Sequence, residues 1–477
     1  MFCGRVLLVI FPAIFAGWVS APLASAASIA RQNGALAAEK REAAALRAEA
    51  RDALARGDAA TAIAAYEKAI ALAPRDGGLR VELGMLLRQA GRIPEAIASF
   101  QQALDIDPRN EKAELELAQA FRTAFNYDEA RRWMERAKRE HPKSAAPVAA
   151  LGLLEIELQD YAGAIRELGA AVHLDPRNLE ARNNLAAAYK AKGKLSAALV
   201  ELSAVLRRDP KNALAHFLRG SIYADQNKNE LALADAERVF EEEPEKSRDV
   251  LLLGKLLERT GKCSRATELL EPLASAGNPD SETLYLLGHA YLCAGNAELA
   301  QKTLERFAQT SDAERHAAED KTQAEHLVKQ AGELARNNQF AAAMEKLNEA
   351  TQKDPSNGNA YSQVAKIYFS ENDIGKAEEA VDRALAIHPY HPDYLYVKGK
   401  ILEREGKLDE ALEEFRRNVM VNPKEADAYF EMGEIYEQRG ERENAIAAFK
   451  KAVELSPDDL DFRKALDEAT SKDTPPG

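Results

Sequence analysis

Cysteine is almost missing from this chain. Three occur in 477 residues, Cys3, Cys263 and Cys293. None forms a C-x-x-C pair, so a thiol redox motif is excluded. Aromatic residues are only 6%, which disfavours a β-sandwich, since strands draw on aromatic and β-branched side chains. Positive charge is in deficit, with 64 Lys and Arg against 77 Asp and Glu and a net charge of -13. That balance argues against nucleic acid, whose affinity rests on basic side chains neutralising phosphates. Long apolar runs are absent after residue 26, so the chain beyond that point is not expected to span a membrane. The G-x-x-x-x-G-K-[ST] loop, the G-x-S-x-G elbow and H-E-x-x-H are all absent. No catalytic residue, cofactor or metal site is therefore assigned. The eight histidines are scattered, and His388 and His391 read as part of a polar turn.

What is abundant is alanine, the best helix former. Hydrophobic residues make up 46% and charged residues 30%, a globular balance. Length alone would suggest about three domains at roughly 150 residues each.

The first 26 residues stand apart. Arg5 is followed by an apolar run from Val6 to Val19, then by Ala24-Ser25-Ala26. This is the pattern of a secretory signal peptide over 1–26, cleaved before Ala27. An uncleaved anchor is the alternative. Cys3 lies before the apolar run, which disfavours a lipoprotein. The expected location is exported, periplasmic or secreted.

The rest repeats. Prolines recur every 34 residues at Pro74, Pro108, Pro142, Pro176, Pro210 and Pro244. Alanines recur with the same period from Ala62 to Ala300 and again from Ala343 to Ala445. A Gly or Ala precedes each by 12. Within one period, residues 426–459, Tyr429, Met432, Gly433 and Tyr436 form one helical stripe, and Ala445, Phe449 and Ala452 form a second. Gly440 separates the helices and Pro457 stops the second. The small residues let two helix backbones approach closely.

This pattern resembles the tetratricopeptide repeat, a 34-residue helix–turn–helix module. The signature stands as Gly84, Ala96, Phe100, Ala103 and Pro108, and again as Ala365, Tyr368, Ala377, Ala384 and Pro389. The frequent Trp of the first helix is absent. The resemblance implies an all-α, right-handed superhelical solenoid of about twelve repeats. A helical lead-in is expected over 27–42, units 1–8 over 43–314, units 9–12 over 324–459, a capping helix over 460–472 and a disordered tail over 473–477. Unit seven departs from the pattern, with Pro272 inside its second helix, where a kink or early end is expected. The charged insert 315–323 reads as a lengthened first helix of the ninth unit, with a hinge between two arms as the alternative.

In stacked antiparallel helices, Cys263 and Cys293 fall near one another. A disulfide there would staple the irregular seventh unit; two free, partly buried thiols are the alternative.

The resemblance also implies a binding face. First-helix positions that line the concave surface in this family fall here on Arg47, Arg51, Arg88, Lys112 and Arg122, a basic lining within an acidic protein. They fall further on Leu153, Ile156, Phe217, Tyr285, His289, Phe369, Tyr396 and Phe430. Aromatic anchors among mixed charges suit a protein or peptide segment. The chain is thus expected to be a non-catalytic scaffold supporting complex assembly in an envelope or periplasm. The alternative is a glycan-binding accessory subunit of a polysaccharide or cell-wall machine, with the aromatics as stacking platforms. Oligomeric state is not indicated.

Overall fold

The computed structural model describes residues 26–242 and 247–471. The expected signal segment, up to its last residue, and the tail lie outside the described residues. Every regular element described is an α-helix. None is long and apolar enough to cross a membrane.

The helices run in pairs, one pair per 34-residue repeat. They are α1 (Ala26–Ala55) with α2 (Ala59–Leu72), α3 (Gly77–Gln89) with α4 (Ile93–Ile106), and α5 (Glu111–Thr123) with α6 (Tyr127–Glu140). Next come α7 (Ala146–Glu157) with α8 (Tyr161–Leu174), α9 (Leu179–Ala191) with α10 (Leu195–Arg208), and α11 (Ala213–Asp225) with α12 (Asn229–Glu242). The seventh pair is α13 (Ser247–Arg259) with α14 (Cys263–Ser275). The eighth starts with α15 (Ser281–Cys293), which pairs with the long α16 (Ala297–Arg336). That helix also serves as the first helix of the ninth, opposite α17 (Phe340–Lys353). The last three are α18 (Gly358–Ser370) with α19 (Ile374–Ile387), α20 (Pro392–Arg404) with α21 (Leu408–Val421), and α22 (Ala426–Gln438) with α23 (Arg442–Leu455). A final helix, α24 (Leu460–Ser471), packs on α23.

The turn inside each repeat has one recurrent device. The second residue past each first helix has positive φ. Gly fills this place at 57, 91, 193, 261, 295, 406 and 440, and Asn at 227, 338 and 372. Gln159 and Phe125 hold the remaining two. The left-handed conformation ends the helix and reverses the chain. Between repeats, the residue before the proline is pushed out of the helical region, as at Asp107 (φ −132°, ψ 91°). The next helix is then capped by a side chain, as where Asn110 accepts from the Ala113 N–H at 3.0 Å.

The small residue of each first helix is fixed by sterics. A Cβ on Gly84 would lie 2.6 Å from Phe100, on Gly399 2.6 Å from Phe415, and on Gly433 2.4 Å from Phe449. Where the first helix carries Ala118 or Ala365, the facing residue is Met134 or Val381 instead, all fully or nearly fully buried. Elsewhere leucine faces the small residue, as Leu168 does Gly152 and Leu270 does Gly254, so each crossing is closely packed.

Two irregularities follow from local chemistry. Second helix α14 has 13 residues where its regular counterparts have 14, and it ends at Ser275 three residues after Pro272. The insert 315–323 lies inside α16, a single helix of 40 residues. It contains neither Gly nor Pro, so nothing interrupts the ladder. Residues 312–319 are exposed all round, and one core cluster ends at Ala300 while the next begins at Ala324. One helix therefore belongs to two separate cores. No break in the backbone marks a hinge there. The ninth unit's first helix is fused to the preceding helix rather than simply lengthened.

The chain divides into two compact units, one through Leu83 and one from Gly84 onward. In the first, α1 packs against α2. In the second, the first helices of successive repeats touch directly: α7 on α9, α9 on α11, α11 on α13, α13 on α15, α16 on α18 and α18 on α20. Apart from α16, which belongs to two repeats, successive second helices make no comparable contact among the described residues. A row that touches on one side and separates on the other curves toward the touching side. The first helices of this unit thus form its inner face.

Candidate functional site: the first-helix face

In the first unit, Arg47 and Arg51 both bind Glu82. Arg47 Nε donates to it at 3.0 Å, Arg51 Nη2 at 2.7 Å, and the Tyr66 hydroxyl at 3.0 Å. Burial pushes the Glu82 carboxyl up, but these three donors outweigh it and hold it down at about 2.

In the second unit, Arg88 pairs with Glu116 at 3.0 Å and Arg122 with Glu157 at 2.8 Å. Each carboxylate is on the next repeat. Lys112 is exposed at the start of α5. The arginines of this row are therefore ion-paired along the solenoid rather than bare.

Leu153 and Ile156 are half-buried on α7, with Ile156 against the apolar cluster of repeats four and five. Phe217 is half-buried on α11. Tyr285 is the most open of the predicted aromatics, at 43% exposed. Its ring lies 4.3 Å from His289 and 5.4 Å from Phe307. Leu292, seven residues on, is 50% exposed.

Farther along, the aromatics are more occupied. Phe369 lies under the Arg404 guanidinium at 4.7 Å. Tyr396 leans on Phe415 at 5.7 Å and donates to Glu431 at 3.2 Å. Phe430 is stacked on Phe462 of the final helix at 4.9 Å. Tyr396 and Phe430 thus hold neighbouring helices together, and Phe430 attaches α24. Charge here is acidic. Lys400 binds both Glu403 and Glu431 at 2.7 Å. Glu434 is held above the usual carboxylate range by burial and by Glu437, Glu431 and Glu403.

The sequence reading did not find the contact between distant repeats. The turn after α5 meets the segments flanking α20 and α21. Asn126 Nδ2 donates to the Val421 carbonyl at 2.6 Å, and Lys424 pairs with Glu129 at 2.9 Å. The Phe125 ring meets His388 edge-on at 5.9 Å, and the Tyr390 hydroxyl donates to the Gly91 carbonyl. A cavity of about 320 Å³ lies at this junction, lined by Phe125, Tyr127 and Pro392 among others. One sequence signal was available: Phe125 occupies a turn position that is Gly or Asn in ten of the twelve repeats.

One group of side chains has metal-ligand chemistry. Ligand atoms of Glu114, Glu140 and His141 lie within 4.8 Å of one another. Arg136 Nε is already between the carboxylates, 3.0 Å from Glu114 and 2.9 Å from Glu140. A cationic side chain fills the place of an ion, and the cluster is a buried salt-bridge knot.

Two sequence profiles, both described as tetratricopeptide repeat, match this chain. One covers residues 47–111 and 396–459, and the other 87–154, 155–222 and 334–401. Together they span more than half of it. The chain belongs to the tetratricopeptide-repeat family. Neither profile covers 223–333, the stretch that holds Pro272 and the fused helix α16.

No curated protein matches this tetratricopeptide-repeat chain. Solved structures do. The Cut9–Hcn1 hetero-tetramer of APC/C is 14% identical, covering 89% of this chain and 95% of that one, with a TM-score of 0.39. A tetratricopeptide-repeat protein from Parabacteroides merdae is 22% identical over 52% of this chain and 99% of that one, at 0.41. YrrB, described as having an unusual peptide-binding site, is 25% identical over 39% and 95%, at 0.32. At these scores none adds to what the repeats themselves show. Tetratricopeptide repeats are protein-interaction modules, typically without catalysis, and this chain is a scaffold of that kind.

Proposed function

We propose that this tetratricopeptide-repeat protein is an exported scaffold that takes a protein segment on its first-helix face and has no catalysis of its own. Residues 1–26 support export, and an envelope or periplasmic complex is the setting that follows from it. The observation that carries the binding face is the open patch on α15. Tyr285 and Leu292 are 43% and 50% exposed on a first helix. The core on this helix is already made by Leu284, Leu286 and Leu287, all buried, so the exposure of Tyr285 and Leu292 does not serve folding. An exposed aromatic and leucine flanked by His289 suit an apolar anchor of a partner segment.

Arg88 and Arg122 at the start of this unit are neutralised by Glu116 and Glu157, while Glu434 and Glu437 leave its far end acidic. A segment reaching that far end would carry basic residues there.

Pull-down from an envelope extract tests the reading, comparing the parent protein with Tyr285→Ala/Leu292→Asp. The variant should keep its helical circular dichroism and lose its protein partners. Unchanged capture by the variant would remove this patch from the site. Capture of glycans with no protein partner would replace the scaffold by a glycan-binding subunit.

A further inference from the structure

The groove between the second helices of repeats nine and ten holds a cavity of about 200 Å³ over α18. One water needs only about 10–15 Å³ of such space. Tyr361 and Tyr368 of α18, Asn348 and Thr351 of α17, and Lys376 and Arg383 of α19 line it. The cavity is outside the first-helix face and is not used by the function proposed above.

In three other repeats the equivalent groove is closed by the chain itself. In repeat eight, the place of Tyr368 is taken by Tyr291, whose hydroxyl donates to Glu271 of the preceding second helix at 2.7 Å. In repeat twelve it is Tyr436, bound by Arg416 of the preceding second helix at 2.9 Å. In repeat eleven, Leu402 stands there, and Lys398 fills the groove between Glu378 and Asp382, at 2.8 Å from each. Residue 348 occupies the register of Glu271 and Arg416. Asparagine is shorter than either, and no bond joins it to Tyr368 among the described residues. No charged side chain stands at position 348, and space remains there.

The lining states which charge belongs there. Lys376 Nζ lies 5.2 Å from the Tyr368 ring centroid, and the Arg383 guanidinium 5.8 Å from that of Tyr361. Two phenol hydroxyls and the Asn348 amide add neutral donors, while the Thr351 hydroxyl donates to the Asn348 carbonyl at 3.1 Å. Glu379 is the one acid in the lining, and it is bound to Arg383 at 2.9 Å. Lys376 is bound to Asp373 at 2.7 Å. Both pairs are exposed and within one helical turn, so they are weak and readily exchanged. A second guanidinium would face two cations, whereas a carboxylate meets donors on three sides.

We propose that this cavity is a second binding site, which receives the carboxylate side chain of a glutamate from a partner protein segment. The incoming carboxylate takes the role that Glu271 performs for Tyr291 in repeat eight.

The test uses the full chain with ¹³C-labelled tyrosine rings. The probes are acetyl-Gly-Ser-Glu-Ser-Gly-amide and its Gln counterpart. The Glu peptide should shift the Tyr361 and Tyr368 signals, with a Kd at least tenfold below that of the Gln peptide. Equal binding of the two peptides, or shifts confined to other tyrosines, would overturn the proposal. Tighter binding of a phosphoserine version would also overturn it, assigning the site to phosphate. Asn348→Glu should close the cavity from within, abolish the peptide response and raise Tm; retained binding in a folded variant would count against the site. Lys376→Gln/Arg383→Gln changes only exposed side chains and should weaken the Glu peptide at least tenfold, whatever Asn348→Glu does to folding. No loss in that variant would equally end the idea.

Discussion

Asn126 binds Val421 across 295 positions of sequence, its Nδ2 donating to the carbonyl at 2.6 Å. The same side chain caps α6, its Oδ1 accepting from the Glu129 N–H at 3.1 Å. Val421 ends α21, so its carbonyl has no partner within the helix. The contact joins an unused acceptor at one helix end to the spare donor of a cap at another.

Those two roles separate by mutation. Asn126→Asp keeps a capping oxygen but replaces the donor, so α6 should hold while the contact with Val421 is lost. Asn126→Ala loses both, with about 1 kcal/mol more from the missing cap. Lys424→Glu sets a second carboxylate against Glu129, whose side chain is 5% exposed. Hydrogen exchange at residues 422–425 should accelerate in all three variants. Unaltered exchange there in Asn126→Asp and Lys424→Glu would show that the two ends are not held by these bonds.

Phe125 gives readouts of opposite sign. At φ 59° a bulky residue is strained, by about 1–2 kcal/mol. Asn occupies the same turn place at 227, 338 and 372. Phe125→Asn should therefore stabilise the turn of repeat three while removing the edge contact with His388. The expected result is slower exchange in α5 and faster exchange around residue 388. A uniform loss of protection in both places would mean the strain is not relieved.

Two helix-interior glycines should respond in opposite directions to the same change. In Gly433→Ala the new Cβ would lie 2.4 Å from the fully buried Phe449 ring. Overpacking of this kind costs about 1–3 kcal/mol. In Gly169→Ala, in the interior of α8, the Cβ meets nothing within 4 Å. There the gain is about 0.5–1 kcal/mol in helix propensity. Urea midpoints of the two variants should move down and up respectively. A neutral Gly433→Ala would contradict close packing at this crossing.

These crossings also show what was legible in the sequence. The period, the small residue of the first helix and the stop proline each repeat twelve or nearly twelve times, so local chemistry declares itself by recurrence. Phe430 and Tyr396 are different. Their spacing matched an inner-face position, but Phe430 is covered by Phe462 of the final helix, which lies outside the repeats, and Tyr396 by its lean on Phe415. The basic row was visible as Arg88 and Arg122, while its neutralisation by Glu116 and Glu157 depends on neighbouring repeats being in register. Asn126 to Val421 was least legible, because it depends on how small rotations accumulate over eight repeats. The open groove at Tyr368 required comparison of one repeat's neighbour with another's.

Cys263 and Cys293 are joined by a disulfide, with Cα atoms 5.6 Å apart, inside the usual bridging range. The bond ties the start of α14 to the end of α15, around the early stop at Ser275. Closing a loop of this length is worth about 3–4 kcal/mol in the chain-entropy account. Cys263→Ala/Cys293→Ala should lower protection in α13 to α15 and leave α22 and α23 unchanged, because repeats interact mainly with their neighbours. Equal protection with and without reductant in the parent protein would show that the bridge contributes nothing.

Acid should loosen the first unit through Glu82. Its carboxyl lies at about 2 in the folded chain against an ordinary value of 4.5. A depressed value means that the folded state prefers the ionised form. The stabilisation is complete above pH 4.5 and is lost progressively as pH falls from 4.5 toward 2. Glu82→Gln cannot ionise, so its stability should lack this component of the acid slope and should be lower than the parent's at pH 7. The difference in amide protection of α1 between parent and variant should shrink through that window. A difference that stays constant from pH 6 to pH 2.5 would mean that Arg47, Arg51 and Tyr66 do not hold the Glu82 carboxylate in solution.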